Sequence, residues 1–381
     1  MKILFVQGNA HNNQRLVIKA LIDEGHSVCY VQPGREVDLP ASYPPRCQWA
    51  QIRKSWISTV LEMVLGRWLT PYHRRVGRYA DIPNIRDTWR LLSENTPDLL
   101  IIKRFFPFFA VVSLIARIRG VKVILYDQKG LFSHRSGKVG LFLERVGVKP
   151  RPRFTPVIGY PEAPQVVRLR GAYIPFIAPD VDEGLARGYL VEGCLRVLMV
   201  GCVNTPRKRA EDLIRAFLKL APHYNVKLTI AGKKPEAGRK RLANLFNEIE
   251  KKGLSSRIQL VSGLDWGGMK NLYLTHDLFV LPSINEPASY SQLEAMSLGL
   301  PVILSDLNKS RCYVHPGVNG EVFEGANWQD LSSHIEAFLR EPERVKDMGR
   351  ASAHLAATHY STRAFLRRFH RIVNVVNPEA Y

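Results

Sequence analysis

The chain predicts an α/β fold, two doubly wound parallel-sheet domains in series, and three observations carry that expectation. Short apolar β-type runs alternate with helical stretches along most of its length. The alternation lapses once near the middle, in IPFIAPDVDEGLARGYLVEG, where Pro, Gly and acidic residues crowd together, and then resumes. A chain of 381 residues is also long enough to bury two hydrophobic cores.

In the first half, KILFVQ reads as a buried strand entering a turn at Gly8. The apolar run is too short, and lacks the cleavage pattern, for a secretory leader. A helix from about Gln14 to Glu24 and the strand HSVCYVQ follow. Further on come the strand DLLIIK, an apolar helix over 107–118, the strand VKVILYD and a short strand in TPVIGY. After the lapse, LRVLMVG, VKLTIAG, IQLVSG, LFVLPS and PVILSD are strands separated by helices over 209–221, 237–252, 267–275 and 290–298. Helices over 328–340 and 343–355 come next, and YSTRAFLRRFHRIVNVV makes one more basic amphipathic helix. The expected division is a domain over 1–178, a linker over 179–192, a domain over 193–357 and a closing helical segment over 358–381. Domains of this kind bind ligands at the carboxyl ends of their strands.

Composition narrows the classes. With 46% hydrophobic and 23% charged residues the chain is globular, not disordered. No apolar run reaches the roughly 18 residues that span a bilayer. The longest, FFPFFAVVSLIA, is shorter and broken by Pro107. The five cysteines (Cys29, Cys47, Cys194, Cys202, Cys312) are scattered without metal-ligand spacing, which suits reduced packing residues in a cytoplasmic chain. Lys and Arg outnumber Asp and Glu by 54 to 34, so the surface attracts anionic lipid, acidic glycans or nucleic acid. Nucleic acid is the weakest of these partners, because the bases are dispersed and form no recognised module. RKSWISTVLEMVLGRWLTPYHRR places Trp56, Val60, Met63, Val64 and Trp68 near helical spacing between basic clusters. That pattern fits a helix lying on an anionic membrane surface, and equally a core-facing helix with a solvated basic end.

Against this basic background EPASYSQLEAMSLGLPVI holds two acids, Glu286 and Glu294, eight residues apart. A helix starting near Tyr290 has unsatisfied amides and a dipole that favour an anion over Ala288, Ser289 and Tyr290. Ser291 and Glu294 also fit a capping box, and on this fragment alone the structural and ligand-binding readings of Glu294 are even. Glu286, between Asn285 and Pro287, has no such structural use. The run Arg207–Arg209, soon after the strand-end Gly201, is either a solvated helix start or a phosphate site, with Lys208 the best placed of the three.

In order, LMVGCVNTPRKRAEDLIRAF, LTIAGK, LVSGLDW, LFVLPSINEPASYSQLEAMSLGLPVILSD and GVNGEVF cover about residues 195–325. This ordered set resembles the retaining GT-B glycosyltransferases of the family 4 type, glycosyl transferases group 1. The resemblance implies two Rossmann-like domains facing a cleft, the first for the acceptor and the second for a nucleotide sugar, with the closing helix packed back on the first. It implies that Lys208 neutralises a leaving diphosphate lying over Ala288, Ser289 and Tyr290. Glu286 would bind hydroxyls of the transferred sugar, and Glu294, on the first helical turn, those of the ribose. Gly8, Gly232 and the base-contacting stretch at Leu264 complete the donor site.

The chain also departs from the family pattern. Cys202 stands where relatives often carry an arginine, which makes Arg207 the candidate second cation. GNAHNNQR replaces a glycine-rich first loop and offers Asn12 as a contact to sugar or acceptor; His11 either joins it or is a solvated loop histidine. Asp127 or Gln128 occupies a strand end where relatives often place a histidine, so Asp127 joins Glu286 and Lys208 as a catalytic candidate; a turn-forming Asp is the other reading.

The resulting expectation is a retaining glycosyltransferase, peripheral on the inner face of the cytoplasmic membrane. It would move a sugar from a nucleotide-sugar donor to a glycan or lipid-linked acceptor in surface polysaccharide or lipopolysaccharide synthesis. No Asp-x-Asp motif lies in a donor context, so neither a metal nor a further cofactor is expected. The alternatives are a sugar-nucleotide epimerase or hydrolase of the same fold, and an inactive relative that binds polyanions.

Overall fold

The computed structural model describes residues 1–7, 12–33, 43–60, 63, 81–103, 107–126, 142–143, 150, 153–156, 172–181, 187–233, 235–286 and 288–376. They divide into two compact units. One runs to Pro156 and includes the segment ending at Phe176 and the chain from Phe365 onward; the other runs from Ile177 to Ala364.

The first unit carries β1 (Lys2–Val6), β2 (Ser27–Pro33), β3 (Gln48–Ile52), β4 (Leu99–Lys103), β5 (Lys122–Tyr126), β6 (Arg153–Thr155) and β7 (Ala172–Tyr173). They form a parallel sheet in the order β3-β2-β1-β4-β5-β6-β7. The central strands are continuously apolar because helices cover both faces. On one face Leu4, Val6, Val31, Leu100 and Ile102 pack with Leu92 of α2 (Ile85–Asn95) and Phe108 of α3 (Pro107–Ile118). Alternation sends Phe5 and Tyr126 to the other face, where they meet Gln14 and Val17 of α1 (Asn12–Asp23) and Phe365.

Three elements of this unit carry a weak sequence signal and had no counterpart in the expected element order, among them the two-residue β7. QWAQI (β3) is an edge strand with mostly half-buried side chains, so its apolar run is thin. IRDTWRLLSEN (α2) is started by Asn84, whose side chain accepts from the Asp87 amide. Of the strand expected in TPVIGY, the described part is its first residue, Thr155, which ends β6; residues 157–160 lie outside the described residues.

The second unit carries β8 (Leu195–Val200), β9 (Val226–Ala231), β10 (Ile258–Val261), β11 (Leu278–Leu281), β12 (Val302–Ser305) and β13 (Gly320–Phe323), parallel in the order β10-β9-β8-β11-β12-β13. Between them run α4 (Ala210–Leu220), α5 (Pro235–Arg241), α6 (Ala243–Lys251), α7 (Trp266–Leu274) and α8 (Tyr290–Ser297). The helix expected over 237–252 is two, broken at Leu242, whose backbone is not helical. Then come α9 (Trp328–Arg340), α10 (Glu343–His359) and α11 (Thr362–Val376). The last is amphipathic: Phe365, Phe369, Ile372 and Val373 are buried, and the Arg368 guanidinium sits 5.9 Å from the Tyr173 ring, so the chain end packs with the first unit.

Cys29, Cys194 and Cys312 are buried, Cys47 and Cys202 half-buried, and none of the five is in a disulfide. Among the described residues no helix is long and apolar enough to cross a membrane.

The ends of β8 and β9 meet backbone to backbone. A Cβ on Gly232 would lie 2.1 Å from the Gly201 carbonyl oxygen, so no side chain fits there. Gly232→Ala is expected to destabilise the second unit by about 3 kcal/mol through overpacking. Gly253→Ala, at φ +66° with no described atom within 4 Å of the new Cβ, should cost about 1–2 kcal/mol from the left-handed backbone alone. Urea denaturation of both variants measures the difference.

Candidate active site

The described candidate residues of the second unit cluster at the carboxyl end of its sheet. Gly201 follows β8, Gly232 follows β9, Leu264 follows β10, and Glu286 follows β11. This is the edge where doubly wound sheets open toward a ligand.

Glu286 is buried, and its Oε2 accepts from Arg207 Nη1 at 2.5 Å and from Lys208 Nζ at 2.6 Å. Two cations therefore converge on one carboxylate oxygen, and the trio retains a net positive charge. The backbone builds this meeting. The Ile284 amide donates to the Arg207 carbonyl, the Glu286 carbonyl accepts from the Lys309 amide, and Asn285 between them takes a left-handed φ of 53°. The Lys208 stem crosses Gly201, where an added Cβ would lie 3.3 Å from its Cδ and Cε. Arg209 is spent elsewhere, in a paired contact with the buried Asp212 at 2.7 and 2.9 Å. The Cys202 thiol reaches the Lys233 carbonyl at 3.4 Å and brings no charge.

Glu294 differs from its expected placement. Ser289 is the N-cap of α8, so Glu294 lies on the second turn, not the first. Its Oε2 accepts from the Tyr273 hydroxyl at 2.7 Å. Tyr273 is fully buried, and burial followed by the neighbouring carboxylate holds its phenol well above the usual range, so it stays a donor. The capping box at Ser291 and Glu294 is not formed: the N-cap is Ser289, two residues earlier, and Ser291 Oγ is 3.1 Å from Ser289 Oγ.

The expectation of an open amide at Ser289 is also corrected, because that amide donates to Ser310 Oγ at 2.7 Å. Ser310 is set in turn by Asn308, whose Oδ1 accepts from its amide at 2.9 Å. Ala288 and Tyr290 flank Ser289, each half-buried. Leu264 is 39% exposed in the loop after Gly263, which takes φ 75°.

Tyr273, Ser310 and Arg187 are site-building residues that sequence reading did not mark. Arg187 Nη1 donates to the carbonyls of Tyr273 and Leu298 at 3.0 and 2.6 Å, at the C-terminal ends of α7 and α8, where helix dipoles favour a cation. Burial nevertheless pulls this guanidinium down to about 10. Of the first-unit candidates, Gly8, His11, Asp127 and Gln128 lie outside the described residues, as does the side chain of Asn12, which begins α1. Their part in any site stays as the sequence left it.

Residues 191–354 match the family model described as glycosyl transferases group 1. The D-inositol 3-phosphate glycosyltransferase of Nocardia farcinica is 28% identical over 212 residues, 51% of this chain and 47% of that protein. The chain thus spans about half the length of the curated relative it matches. Among solved structures, HepE of Anabaena in complex with UDP and glucose has a TM-score of 0.65 at 13% identity, covering 98% of this chain and 99% of that one. The lipopolysaccharide outer core galactosyltransferase WaaB, in apo form, has a TM-score of 0.66 at 16% identity, covering 98% and 99%. The likeness at these identities establishes a shared fold, GT-B.

Behind α7, His276 is buried with Nδ1 donating to the Leu272 carbonyl at 2.6 Å and Nε2 accepting from the Thr229 hydroxyl at 2.8 Å. Burial pushes its pKa down to about 4. Below the unfolded value near 6.5 the unfolded chain takes a proton that the folded one refuses, so stability falls as pH drops toward about 4. Comparing wild type with His276→Gln by urea denaturation at both ends of that window should show about 3 kcal/mol of acid-dependent loss missing from the variant.

Proposed function

We propose, from the premise that residues 191–354 are a glycosyl transferases group 1 domain, that this chain moves a sugar from a nucleotide-diphosphate donor to a glycan or lipid-linked acceptor. The product would belong to a surface polysaccharide or lipopolysaccharide, and the new bond would keep the donor's anomeric configuration. The observation that carries the reading is the convergence of Arg207 and Lys208 on one oxygen of Glu286.

A site holding two cations against one buried acid has room, electrostatically, for a further anion. The donor diphosphate is that anion. Its arrival shifts Arg207 and Lys208 onto phosphate oxygens, and the freed Glu286 carboxylate accepts from hydroxyls of the sugar to be transferred. As the bond between anomeric carbon and phosphate oxygen breaks, negative charge builds on the leaving diphosphate where the two cations already stand. Arg207 replaces the charge that Cys202 lacks, and the reading calls for no metal. Glu294, pinned by Tyr273, accepts from the ribose hydroxyls, while Leu264 and the adjoining backbone take the base. The departing phosphate is the base that takes the acceptor's proton in a front-face displacement. The UDP and glucose bound to HepE support the same chemical class of donor for this chain.

The acceptor side of the reading includes the membrane. Residues 56–60 and 63 are helical, and Trp56 and Met63 are each 73% exposed, so these side chains are not core. Beside Arg53 and Lys54 they form an apolar and basic edge suited to anionic lipid at the inner face of the membrane.

Labelled UDP-, GDP- and ADP-sugars with and without acceptor test the reaction: label must move to the acceptor, whereas an epimerase or hydrolase alters the donor alone. Glu286→Gln separates the two roles of that residue. It is expected to bind the nucleoside diphosphate roughly three- to tenfold tighter by calorimetry, because the cations lose their internal partner. Transfer should nonetheless fall about 100-fold or more. Weaker nucleotide binding, or intact turnover, would contradict the assignment.

Sedimentation with vesicles checks the membrane edge. Wild type should pellet with phosphatidylglycerol vesicles and be released by salt, and Trp56→Ala with Met63→Ala should lose about tenfold in partition. Equal binding to phosphatidylcholine vesicles would remove the electrostatic part of the proposal.

A further inference from the structure

The strands of the second unit lie in the order β10-β9-β8-β11-β12-β13, so the loops at their carboxyl ends stand side by side in that order. Leu264 follows β10, Arg207 and Lys208 follow β8, Glu286 follows β11, and Lys309 follows β12. The Glu286 loop therefore has Arg207 and Lys208 on one side and Lys309 on the other. Backbone bonds fix both sides. The Ile284 amide donates to the Arg207 carbonyl at 3.0 Å. The Lys309 amide donates to the Glu286 carbonyl, and the Asn285 amide to the Leu307 carbonyl, each at 3.1 Å.

The wall on the Lys309 side is firmly built. Asn308 is fully buried; its Nδ2 donates to Ser283 Oγ at 3.2 Å, and its side chain caps the short 3-10 turn Lys309–Tyr313. Ser310 takes the Ser289 amide on its hydroxyl, and its carbonyl accepts from Gln292 Nε2 at 3.3 Å. Lys309 is exposed between these two buried residues. Among the described residues its ammonium makes no ion pair or hydrogen bond. The acids of segments 282–294 and 305–313 are already engaged. Glu286 holds Arg207 and Lys208, Glu294 holds Tyr273, and Asp306 takes the Gly325 amide at 2.8 Å. One carboxylate cannot balance three cations. Water screens that imbalance, but a ligand covering the loops removes the screening and gains by bringing an anion of its own.

A donor laid along this edge meets the loops in order. With its base at Leu264 and its diphosphate at Arg207 and Lys208, the sugar falls at Glu286. The next loop along the row carries Lys309, at the part of the sugar farthest from the diphosphate. A neutral hexose presents a hydroxymethyl group there, which an ammonium binds weakly. A carboxylate in the same place makes a charge-assisted pair.

We infer that Lys309 is a specificity-determining residue of the donor site, and that the transferred sugar is a hexuronic acid whose carboxylate pairs with Lys309. The inference rests on the transferase reading for the sugar's place at Glu286, and adds the charge of that sugar. The diphosphate does not account for Lys309, because its cations stand on the opposite side of the Glu286 loop.

Calorimetry on the full chain tests the assignment. UDP, GDP and ADP first fix the base. Sugar nucleotides on that base are then compared in pairs: glucuronic acid with glucose, galacturonic acid with galactose, mannuronic acid with mannose. At least one acidic donor is expected to bind about tenfold tighter than its neutral partner. Lys309→Met, which removes the charge at similar length from an exposed position, should weaken that acidic donor about tenfold. The neutral partner should change by less than about twofold. Lys309→Arg should keep the preference. Equal or weaker binding of every acidic donor overturns the inference and leaves transfer of a neutral sugar standing. An acidic preference that survives Lys309→Met, or an equal loss of both partners, overturns the role of Lys309. A wild type that binds none of the three nucleoside diphosphates removes the transferase reading and this inference together.

Discussion

Two cations sharing one oxygen of Glu286 is the constraint around which the second unit is arranged. Like charges held close repel strongly when partly desolvated, and the carboxylate between them is what permits the approach. The chain supports the meeting from every side. The Gly201 and Gly232 backbones touch, so the Lys208 stem lies flat over the end of β8. Arg209, the neighbouring base, is withdrawn by Asp212, which leaves two cations facing Glu286 instead of three. The Ile284 amide fastens the acid's loop to the cations' loop through the Arg207 carbonyl. Buried ion pairs are poor sources of net stability, since desolvation offsets most of their attraction. That this one is so closely built is best understood as preparation for a ligand.

The second pair, Tyr273 and Glu294, is held from behind. Arg187 grips the C-terminal carbonyls of both α7 and α8, the Tyr189 hydroxyl donates to the Gly299 carbonyl, and Asp277 ties the Leu190 amide to Arg196. The segment entering the second unit is thus bonded to the far ends of the two helices whose side chains meet at Glu294. A helix end whose carbonyls are satisfied by a buried guanidinium is less free to fray than one left to water. The orientation of Glu294 is therefore a property of two helices and the segment behind them, and not of one side chain.

Much of this was legible in the sequence, and the rest was hidden for physical reasons. The central strands announced themselves because burial on both faces demands unbroken apolar runs, as in DLLIIK and LFVLPS. QWAQI did not, because an edge strand keeps only part of that requirement. Glu286 and Lys208 were found, but as separate ligands for sugar and phosphate; that they bind each other depends on a meeting of distant loops that spacing does not encode. The capping box misplaced the helix start by two residues. Starting α8 at Tyr290 places Ser291 inside the helix and swings Glu294 toward Tyr273. Tyr273 itself looked like any aromatic residue of a core helix.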